Sequence, residues 1–444
     1  MSETKFRLIA RKIEERIEQG EYPTHSKLPP HRIMADVLET TPTTIAKAYN
    51  LLADKGRVES FVGRGTFVKP ANDVDPAPSL AEQGFDFSIT QPYLPENLPF
   101  IKKAMEKVSR NLNLQQLTYI EHSGLDAHRQ AAVEWAKRYG LEGGNTDNTL
   151  LTHGVQHSLS LLLTLLTSEG DCVAVEAQTY PGMIALGELL GRRLVGVKMD
   201  EQGMTPQSLK QVIAEHAPKV VIATPSFQNP TGATMSVERR QQIAQVVEDH
   251  QLWLIEDDAF GFLNPQPVAA ISNFIPQRAC HLTSLSKALS PSLNCGFLKA
   301  PLSLIEKVNA HLRANVYLSS SVGHATACEL IKTGDAFKLA SGQRELAQAR
   351  QAIARQVLNL ASIHTGGYHI WLPLGSQTQA HWLVEQARKQ NIYLRAGDQF
   401  TVSEPAQHCV RLSLMSVSSE SKLTQGLVML NTLLDSLRTS AIAS

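Results

Sequence analysis

The sequence has few cysteines and no long apolar segment. Its five cysteines are widely spaced and form no CxxC pair, which argues against a disulfide framework or a zinc site and suits a reducing compartment. The longest apolar stretch, Leu159–Leu166, is far shorter than the roughly 20 residues that a membrane span needs. The N-terminal residues are polar and of mixed charge, so no signal peptide is expected. We therefore expect a cytoplasmic protein with no membrane partner and no bound metal.

The chain also lacks net charge. Its 42 Lys and Arg residues balance its 42 Asp and Glu residues, so the total charge neither favours nor excludes a nucleic-acid partner. The first 70 residues, however, hold 12 basic and 9 acidic side chains. Because 444 residues exceed one ordinary domain, we predict two or three packed units, of which the N-terminal one is weakly basic.

Residues 1–69 have the pattern of a small helical domain that ends in a hairpin. Apolar spacing and glycine breaks predict three helices and then two short strands: Phe6–Gln19, His31–Leu38, Thr43–Lys55, Val58–Phe61 and Thr66–Val68. Two helices joined by a short turn and followed by a hairpin make a winged helix-turn-helix.

Residues 70–84 hold three prolines among small and acidic residues, which predicts a semi-stiff linker. In residues 85–444, apolar strand-like runs alternate with helical ones, and this predicts an α/β unit with a parallel sheet and right-handed crossovers. The strands are expected at Cys172–Val175, Val220–Ala223, Leu252–Ile255 and His281–Ser284, with helices at Gln156–Leu166 and Val237–His250. From about residue 300, long helices and strands near Tyr368–Leu372 and Val410–Leu414 predict a smaller second lobe.

The segment Leu28–Val68 resembles the winged helix of GntR-type regulators, through its LPPHR and GRGTFV motifs. The resemblance implies that residues of the second and third helices contact double-stranded DNA and that the wing reaches the minor groove or its phosphates. The implied residues are Arg32, Thr43, Thr44, Lys47 and, in the wing, Arg64. Pro42 stands where the family usually has an arginine, which implies the loss of one base contact. The alternative interpretation is that these charged residues are solvated side chains on a module that binds another protein.

Residues 85–444 resemble fold-type-I aminotransferases, and the fusion of both units resembles the MocR subgroup of GntR regulators. Four motifs in the family's order carry the resemblance: THGVQHSLSLLL, TPSFQNPTG, LIEDDAF and SLSKALSP. It implies a multidomain fold, in which an N-terminal winged helix-turn-helix joins an α/β body with a large and a small lobe. It also implies a pyridoxal 5'-phosphate cofactor and a homodimer.

The resemblance assigns Lys287 as the catalytic lysine, which forms a Schiff base with the cofactor once its surroundings lower its pKa. Asp257, rather than Asp258, is the implied partner of the cofactor's ring nitrogen. The other implied cofactor contacts are Tyr180, Asn229, Val155, Gln156, Ser284, Ser286 and, reaching across the dimer, Tyr119. Arg411 in VRLSL is the implied partner of the carboxylate of a substrate or effector.

Two positions depart from that family's pattern. Phe260 replaces a tyrosine that bonds the cofactor's phenolic oxygen, and Asn294 replaces an arginine that contacts its phosphate. Loss of one charge-assisted contact costs on the order of 1.5–3 kcal/mol, or roughly ten- to hundredfold in affinity. Two interpretations stay open: the cofactor binds reversibly, or the site is partly degenerate.

These features lead to the hypothesis of a dimeric transcription regulator. Its operator affinity would change when Lys287 forms a Schiff base with pyridoxal phosphate, alone or together with an amino acid or amine acting as effector. Whether the body is also an enzyme is left open, including residual transaminase activity. The alternatives are a working aminotransferase with a DNA-binding head, and a regulator whose degenerate site is only a dimerisation scaffold.

Overall fold

The structure is a computed structural model that describes residues 5–18, 21–23, 26–54, 58–61, 65–68, 84–118, 123–316, 321–360, 366–402 and 407–442. The chain divides into two compact units, Met1–Ser79 and Leu80–Ser444. The predicted linker lies outside the described residues except for Gly84, so the boundaries proposed at residues 69 and 85 stay predictions.

The N-terminal unit contains three helices and a hairpin: α1 (Lys5–Glu18), α2 (His31–Val37), α3 (Pro42–Asp54), β1 (Val58–Phe61) and β2 (Gly65–Val68). Each element lies within one residue of its predicted bounds, and β1 pairs antiparallel with β2. The apolar residues that suggested the helices pack into one core, with Ile13, Ile45 and Leu52 fully buried. The winged helix-turn-helix prediction is confirmed.

Seven strands form the main sheet of the second unit. Their order across the sheet is β4 (Thr149–Thr152), β12 (Gly296–Lys299), β11 (Ala279–Ser284), β10 (Trp253–Asp257), β9 (Val220–Ala223), β5 (Cys172–Glu176) and β6 (Arg193–Val197). The run from β11 to β6 pairs in parallel, whereas β12 is antiparallel to both neighbours. The prediction of a parallel sheet is therefore correct except at β12. The segment 285–295, which joins β11 to β12, is too short for the parallel crossover of a dozen or more residues.

Helices cover both faces of the main sheet. Successive strand residues point to opposite sides, so Val173 and Val175 enter one core while Ala174 enters another. The helices of this lobe are Leu94–Arg110, Leu114–Leu117, Asp126–Arg138, Val155–Leu166, Pro181–Leu189, Pro206–His216, Val237–Asp249, Ile271–Phe274, Leu302–Asn315 and Ser321–Lys332. A short hairpin of β7 (Met199–Asp200) and β8 (Gly203–Met204) also belongs to it.

A smaller lobe contains the antiparallel strands β13 (His369–Pro373), β16 (Cys409–Ser413) and β15 (Arg395–Ala396). Its helices are Gln377–Lys389, Glu420–Ile442 and the end of Asp335–Leu358. The start of the unit also joins this lobe, because β3 (Phe85–Asp86) pairs in parallel with β14 (Ile392–Tyr393). Leu302–Asn315 packs on the main sheet instead, so the second core begins later in the chain than residue 300.

No helix in the described ranges is both long enough and apolar enough to cross a membrane. Within the same ranges, no group of three or more His, Cys, Asp or Glu side chains is arranged to hold a metal ion.

Candidate functional site

A cavity of about 520 Å³ opens where several strands of the main sheet end. Parallel sheets characteristically place ligands at the carboxyl ends of their strands. Eight of the predicted cofactor-binding residues line this cavity: Val155, Gln156, Tyr180, Asn229, Asp257, Ser284, Ser286 and Lys287. They come from separate segments of the chain, and the fold brings them together.

One end of the cavity is built to hold an anion. Helix Val155–Leu166 begins there, and its first main-chain N–H groups have no partner within the helix. Gly154 precedes the helix with φ +84°, a conformation that glycine adopts without strain. Gly296 lies so close that a Cβ there would come within 2.5 Å of Gly154 Cα. Ser286 lines the same end, so amides and hydroxyls converge on it.

Asn294 also lines this end of the cavity, at the position where the aminotransferases have an arginine. Its backbone is left-handed, with φ 47° and ψ 44°, and asparagine tolerates that conformation better than most residues. Its Nδ2 lies 3.1 Å from His153 Nδ1. Burial lowers the pKa of His153, so this pair adds hydrogen bonding here without a fixed positive charge.

Lys287 lines the cavity and also contacts residues outside it. Its Nζ donates to the main-chain oxygen of Thr90 at 2.8 Å, and Tyr368 Oη donates to the main-chain oxygen of Lys287 at 2.8 Å. Burial lowers the pKa of the lysine, and the charge of Arg411 lowers it further, while Asp257 opposes both effects. This direction agrees with the expectation for a Schiff-base lysine, because a lowered pKa favours the neutral, nucleophilic amine.

Three buried carboxyl groups lie at or near the strand ends. Burial raises the pKa of Asp257 to about 6, although the Ala259 N–H donates to its Oδ1 at 3.1 Å. Burial also raises the pKa of Glu176 to about 7, against the hydrogen bond from Thr224 N at 2.7 Å. Asp258 differs: burial raises its pKa, but interaction with His281 and Arg240 outweighs this and lowers it. Of the two adjacent acids, Asp257 is the one that lines the cavity, and its pKa stays raised although Lys287 and His281 act to lower it.

Arg411, on β16, lies at the side of the cavity marked by Asn229. Its Nη1 donates to Asn229 Oδ1 at 3.0 Å, and its Nη2 donates to the main-chain oxygen of Ser88. Its guanidinium carbon lies 4.9 Å from the ring centroid of Phe400. Because Oδ1 of Asn229 accepts from Arg411, the Nδ2 group remains available to donate elsewhere.

Phe260 does not supply the hydroxyl group that its tyrosine counterpart would. The ring is buried, with its centroid 5.7 Å from that of Tyr368 and 5.6 Å from that of His369, both in edge-on contacts. The hydroxyl of Tyr368 is directed to the Lys287 main chain instead. Phe260 therefore packs in an apolar position, and its side chain offers no hydrogen-bonding group to the cavity.

The predicted DNA-contacting residues of α2 and α3 lie at the surface of the N-terminal unit. Arg32, Thr43 and Lys47 are exposed, and Thr44 is half-buried, with its hydroxyl 2.8 Å from that of Thr41. Pro42 is the first residue of α3, where a proline is well accommodated. Arg64 lies outside the described residues, and so does Tyr119 of the second unit.

Sequence reasoning missed the contacts that main-chain atoms make in the site. The oxygens of Ser88 and Thr90 accept from Arg411 and Lys287, and a main-chain oxygen leaves no trace in a residue pattern. Glu176 was also missed, although it ends a buried strand with an acid as Asp257 does. That shared pattern was the available signal.

The groups present fit pyridoxal phosphate. Free amides and serine hydroxyls suit a phosphate, Asp257 suits a protonated ring nitrogen, and a lysine of lowered pKa suits an aldehyde. The cavity volume of about 520 Å³ lies within the range of small-molecule sites. The fit depends on the donor set, which no single motif supplies.

Two families match the chain over separate regions. Residues 82–429 match aminotransferase class I and II, and residues 7–68 match the bacterial regulatory proteins of the gntR family. Among solved structures, the chain is similar to LysN, an alpha-aminoadipate aminotransferase from Thermus thermophilus complexed with N-(5'-phosphopyridoxyl)-L-leucine. The TM-score is 0.74 at 23% identity, over 81% of this chain and 94% of that one.

Relatives of similar length share both regions. The HTH-type transcriptional regulator YdeF of Bacillus subtilis is 28% identical over 97% of this chain and 95% of its own length. The vitamin B6 salvage pathway transcriptional repressor PtsJ of Salmonella typhimurium is 27% identical over 91% of this chain and 93% of its own. The likeness to these regulators therefore extends across the DNA-binding unit and the body together.

Proposed function

The chain belongs to the aminotransferase class I and II family and carries a GntR-type DNA-binding domain in the MocR arrangement, and from this premise we propose a pyridoxal-phosphate-responsive transcription regulator. It would act in the cytoplasm, where operator DNA is its partner. The observation that carries the proposal is the cavity that gathers Lys287, Asp257 and the anion-binding helix start. The similarity to a repressor of vitamin B6 salvage supports the same ligand.

Each group around the cavity has a distinct part in holding the cofactor. The first amides of Val155 and Gln156, with Ser284 and Ser286, would bind the phosphate. Asn229 Nδ2 would donate to the phenolic oxygen, because Arg411 already fixes the orientation of that amide. The bound cofactor supplies an aldehyde and an electron-accepting ring. Tyr180 would stack on that ring.

Lys287 would bind the aldehyde group of the cofactor, and Asp257 would pair with its ring nitrogen. The amine of Lys287 would be the nucleophile, and burial lowers its pKa, which favours the neutral form. The Asp257 carboxyl has a pKa raised to about 6 by burial. A cation at the ring nitrogen would lower this pKa again, so protonation of the ring and ionisation of Asp257 support each other.

We further propose a homodimer in which Tyr119 reaches the partner subunit's phosphate site, and an amino acid or amine as a second effector. Arg411 supports the effector proposal, because it contacts Asn229, which lines the cavity, and a guanidinium can pair bidentately with a carboxylate. Amino-group transfer is a second candidate activity that the same Arg411 favours. Transfer from a panel of amino acids, lost in Lys287→Ala, would establish that activity.

DNA binding measured with and without pyridoxal phosphate tests the regulatory proposal. The probe is a duplex that the protein itself selects from a random-sequence pool. We expect saturating cofactor to change the Kd at least about fivefold, as allosteric couplings of this kind do. Lys287→Ala should abolish the response, whereas Lys198→Ala, an exposed lysine of the same unit, should retain it. An equal Kd with and without bound cofactor would refute the proposal.

A further inference from the structure

A segment that follows the predicted linker runs beside the cavity. We call residues 84–93 the strap. Its first part is fixed to the smaller lobe, where Phe87 is fully buried, Phe87 N donates to Tyr393 O at 2.9 Å and Ser413 N donates to Phe87 O at 2.8 Å. Its last residue is fixed to helix Asp335–Leu358, because the side-chain amide of Gln343 both accepts from Tyr93 N and donates to Tyr93 O, each at 2.8 Å.

Between these two anchors, side chains of the candidate site hold the strap. Lys287 Nζ donates to Thr90 O at 2.8 Å, and Arg411 Nη2 donates to Ser88 O. Among the described residues, these are the hydrogen bonds that join residues 88–92 to the rest of the body. Both donors are groups that the proposed function assigns to a ligand: Lys287 to an aldehyde and Arg411 to a carboxylate.

The aldehyde and Thr90 O compete for the same nitrogen. When the amine adds to the aldehyde carbon, the carbonyl oxygen leaves as water and the nitrogen becomes doubly bonded to that carbon. The nitrogen then keeps at most one hydrogen, which lies in the plane of the new double bond. The rotating donors of a free amine would be lost, so Thr90 O would lose its partner and residues 88–92 would lose one of the two hydrogen bonds that hold them between the anchors.

Arg411 has donors beyond the two that hold Ser88 and Asn229. A carboxylate bound bidentately takes two parallel N–H groups of the guanidinium, and arginine has five N–H groups. One Nη group donates to Ser88 O, the other donates to Asn229 Oδ1, and the buried Nε has no hydrogen-bond partner among the described residues. A carboxylate can therefore bind Arg411 without displacing Ser88, so the release of the strap depends on Lys287.

We propose that the strap is a built-in competitor for the cofactor and that capture of pyridoxal phosphate by Lys287 releases residues 88–92 from the larger lobe. The linker leaves the body at Phe85, which pairs with the smaller lobe, whereas Lys287 follows β11 of the larger lobe. The Thr90 contact therefore ties the linker's point of attachment to the larger lobe. Its loss would leave Phe85 and Phe87 attached to the smaller lobe, so that the linker's point of attachment could follow a movement of that lobe when the cofactor binds. This inference rests on the proposed function and describes how cofactor capture at Lys287 would affect the linker.

A spin label on the strap tests the release directly. All five native cysteines are buried, so a new exposed cysteine can be labelled selectively. Ile89, in the middle of the strap, is 47% exposed, and Val428, on helix Glu420–Ile442, is 52% exposed. We expect the nitroxide of Ile89→Cys to become more mobile when pyridoxal phosphate saturates the full-length protein, as followed by absorbance. The nitroxide of Val428→Cys should not change.

A second variant tests the contact between Lys287 and Thr90 in the absence of cofactor. Lys287→Ala, combined with Ile89→Cys, removes the donor to Thr90 O, so the label should be mobile without cofactor and should not respond to it. A label as immobile as in the Lys287 protein would overturn the inference. So would an unchanged Ile89 label in a protein whose absorbance shows bound cofactor.

The outcomes distinguish this inference from the regulatory proposal. If the label responds to cofactor but the Kd for DNA does not, the strap switch stands and the proposed regulation fails. If the Kd responds while the label stays immobile, the regulation stands and its route through the strap is wrong. If no cofactor binds to the unlabelled protein, both are refuted.

Discussion

Asp257 and Asp258 are adjacent in the chain, yet their carboxyl groups have pKa values shifted in opposite directions. Burial raises the pKa of Asp257 from 3.8 to about 6. Burial acts on Asp258 too, but His281, whose Nε2 lies 3.6 Å from Asp258 Oδ2, and Arg240 bring its pKa below the ordinary value. The fold therefore leaves Asp257 available for the proposed cation at the cofactor's ring nitrogen, whereas Asp258 is paired within the protein.

Substitution of Asp257 by asparagine should stabilise the protein in the absence of cofactor. Between about pH 4 and pH 6 the folded state binds more protons at this site than the unfolded state, so the free energy of unfolding falls as pH rises through that window. Asp257→Asn removes this dependence. We expect a gain on the order of 1–3 kcal/mol at pH 7.5 and little gain at pH 4, measured by urea unfolding. Affinity for pyridoxal phosphate should fall.

Asp258→Asn is the matched control, and it should act in the opposite direction. Its folded-state pKa is lowered, so its contribution to stability is present above the ordinary pKa near 4 and is lost as pH falls through the lowered value. We expect Asp258→Asn to destabilise the protein at pH 7.5. A loss of stability in both variants would contradict this account of Asp257.

Asn294 limits the positive charge at the phosphate end of the cavity. Asn294→Arg should tighten pyridoxal phosphate binding by about tenfold or more, since a charge-assisted contact contributes roughly 1.5–3 kcal/mol. The change also replaces an asparagine at φ 47°, which should lower the free energy of unfolding by roughly 1 kcal/mol. Absorbance titration and urea unfolding measure the two effects.

Asn294→Gln separates charge from backbone strain. Glutamine meets the same left-handed backbone but adds no charge, so it should reproduce the loss of stability without the gain in affinity. If glutamine and arginine change the affinity equally, the missing charge does not set the strength of cofactor binding.

At the scale of single elements, the start of α3 depends on a threonine outside the helix. Thr41 Oγ1 accepts from Thr44 N at 3.3 Å, and the two hydroxyls lie 2.8 Å apart. Thr41→Ala should therefore lower the stability of the N-terminal unit by about 1 kcal/mol and weaken DNA binding. Thr40→Ala, one residue earlier, is the control. Equal melting temperatures for the Thr41 variant and the parent would contradict the capping role.

The exposed face of α3 provides a test of the DNA-contact prediction. Lys47 is exposed, and a lysine on a phosphate raises affinity uniformly across sequences. Lys47→Ala should weaken binding and reduce the slope of log K against log salt by about 1. Lys12 on α1 is a matched exposed lysine, and its alanine variant should keep the parent slope. An unchanged slope for Lys47→Ala would remove this residue from the interface.

Elements with a strong apolar period were predictable from the sequence. The helices and strands of the N-terminal unit lie within one residue of expectation because each buries one periodic face. The strand Val220–Ala223 was placed at its observed bounds because it is wholly buried between turns. The strand β12 was not among the predicted strands, so its direction was not predicted either. The two-residue β3 was not predictable, since its pairing partner β14 lies far away in the chain.

The candidate site was predictable only where side chains carry it. The motifs located Lys287, Asp257 and Asn229, and the fold brings them to one cavity. The attachments of the strap escaped detection because Ser88 and Thr90 act through main-chain oxygens, which any residue would supply. Residue patterns thus indicate which ligand the body suits, whereas the contacts that are proposed to respond to the ligand required coordinates.

In the full-length protein, cofactor capture by Lys287 in the second unit is proposed to change the DNA affinity of the first unit. Sequence continuity is the connection: the predicted linker ends at Gly84, and Thr90, which Lys287 contacts, is six residues further on. Such a link is a coupling free energy, so DNA binding must in turn change the affinity for the cofactor by the same factor.

A single titration follows cofactor binding and DNA binding in the same sample. Pyridoxal phosphate is added to the full-length protein mixed with fluorescent DNA at about half saturation, and absorbance and anisotropy are read in the same cuvette. The absorbance and the anisotropy should change with the same midpoint in pyridoxal phosphate concentration. Both changes should disappear in Lys287→Ala. An absorbance change that depends on Lys287, with constant anisotropy throughout, would contradict the proposed coupling.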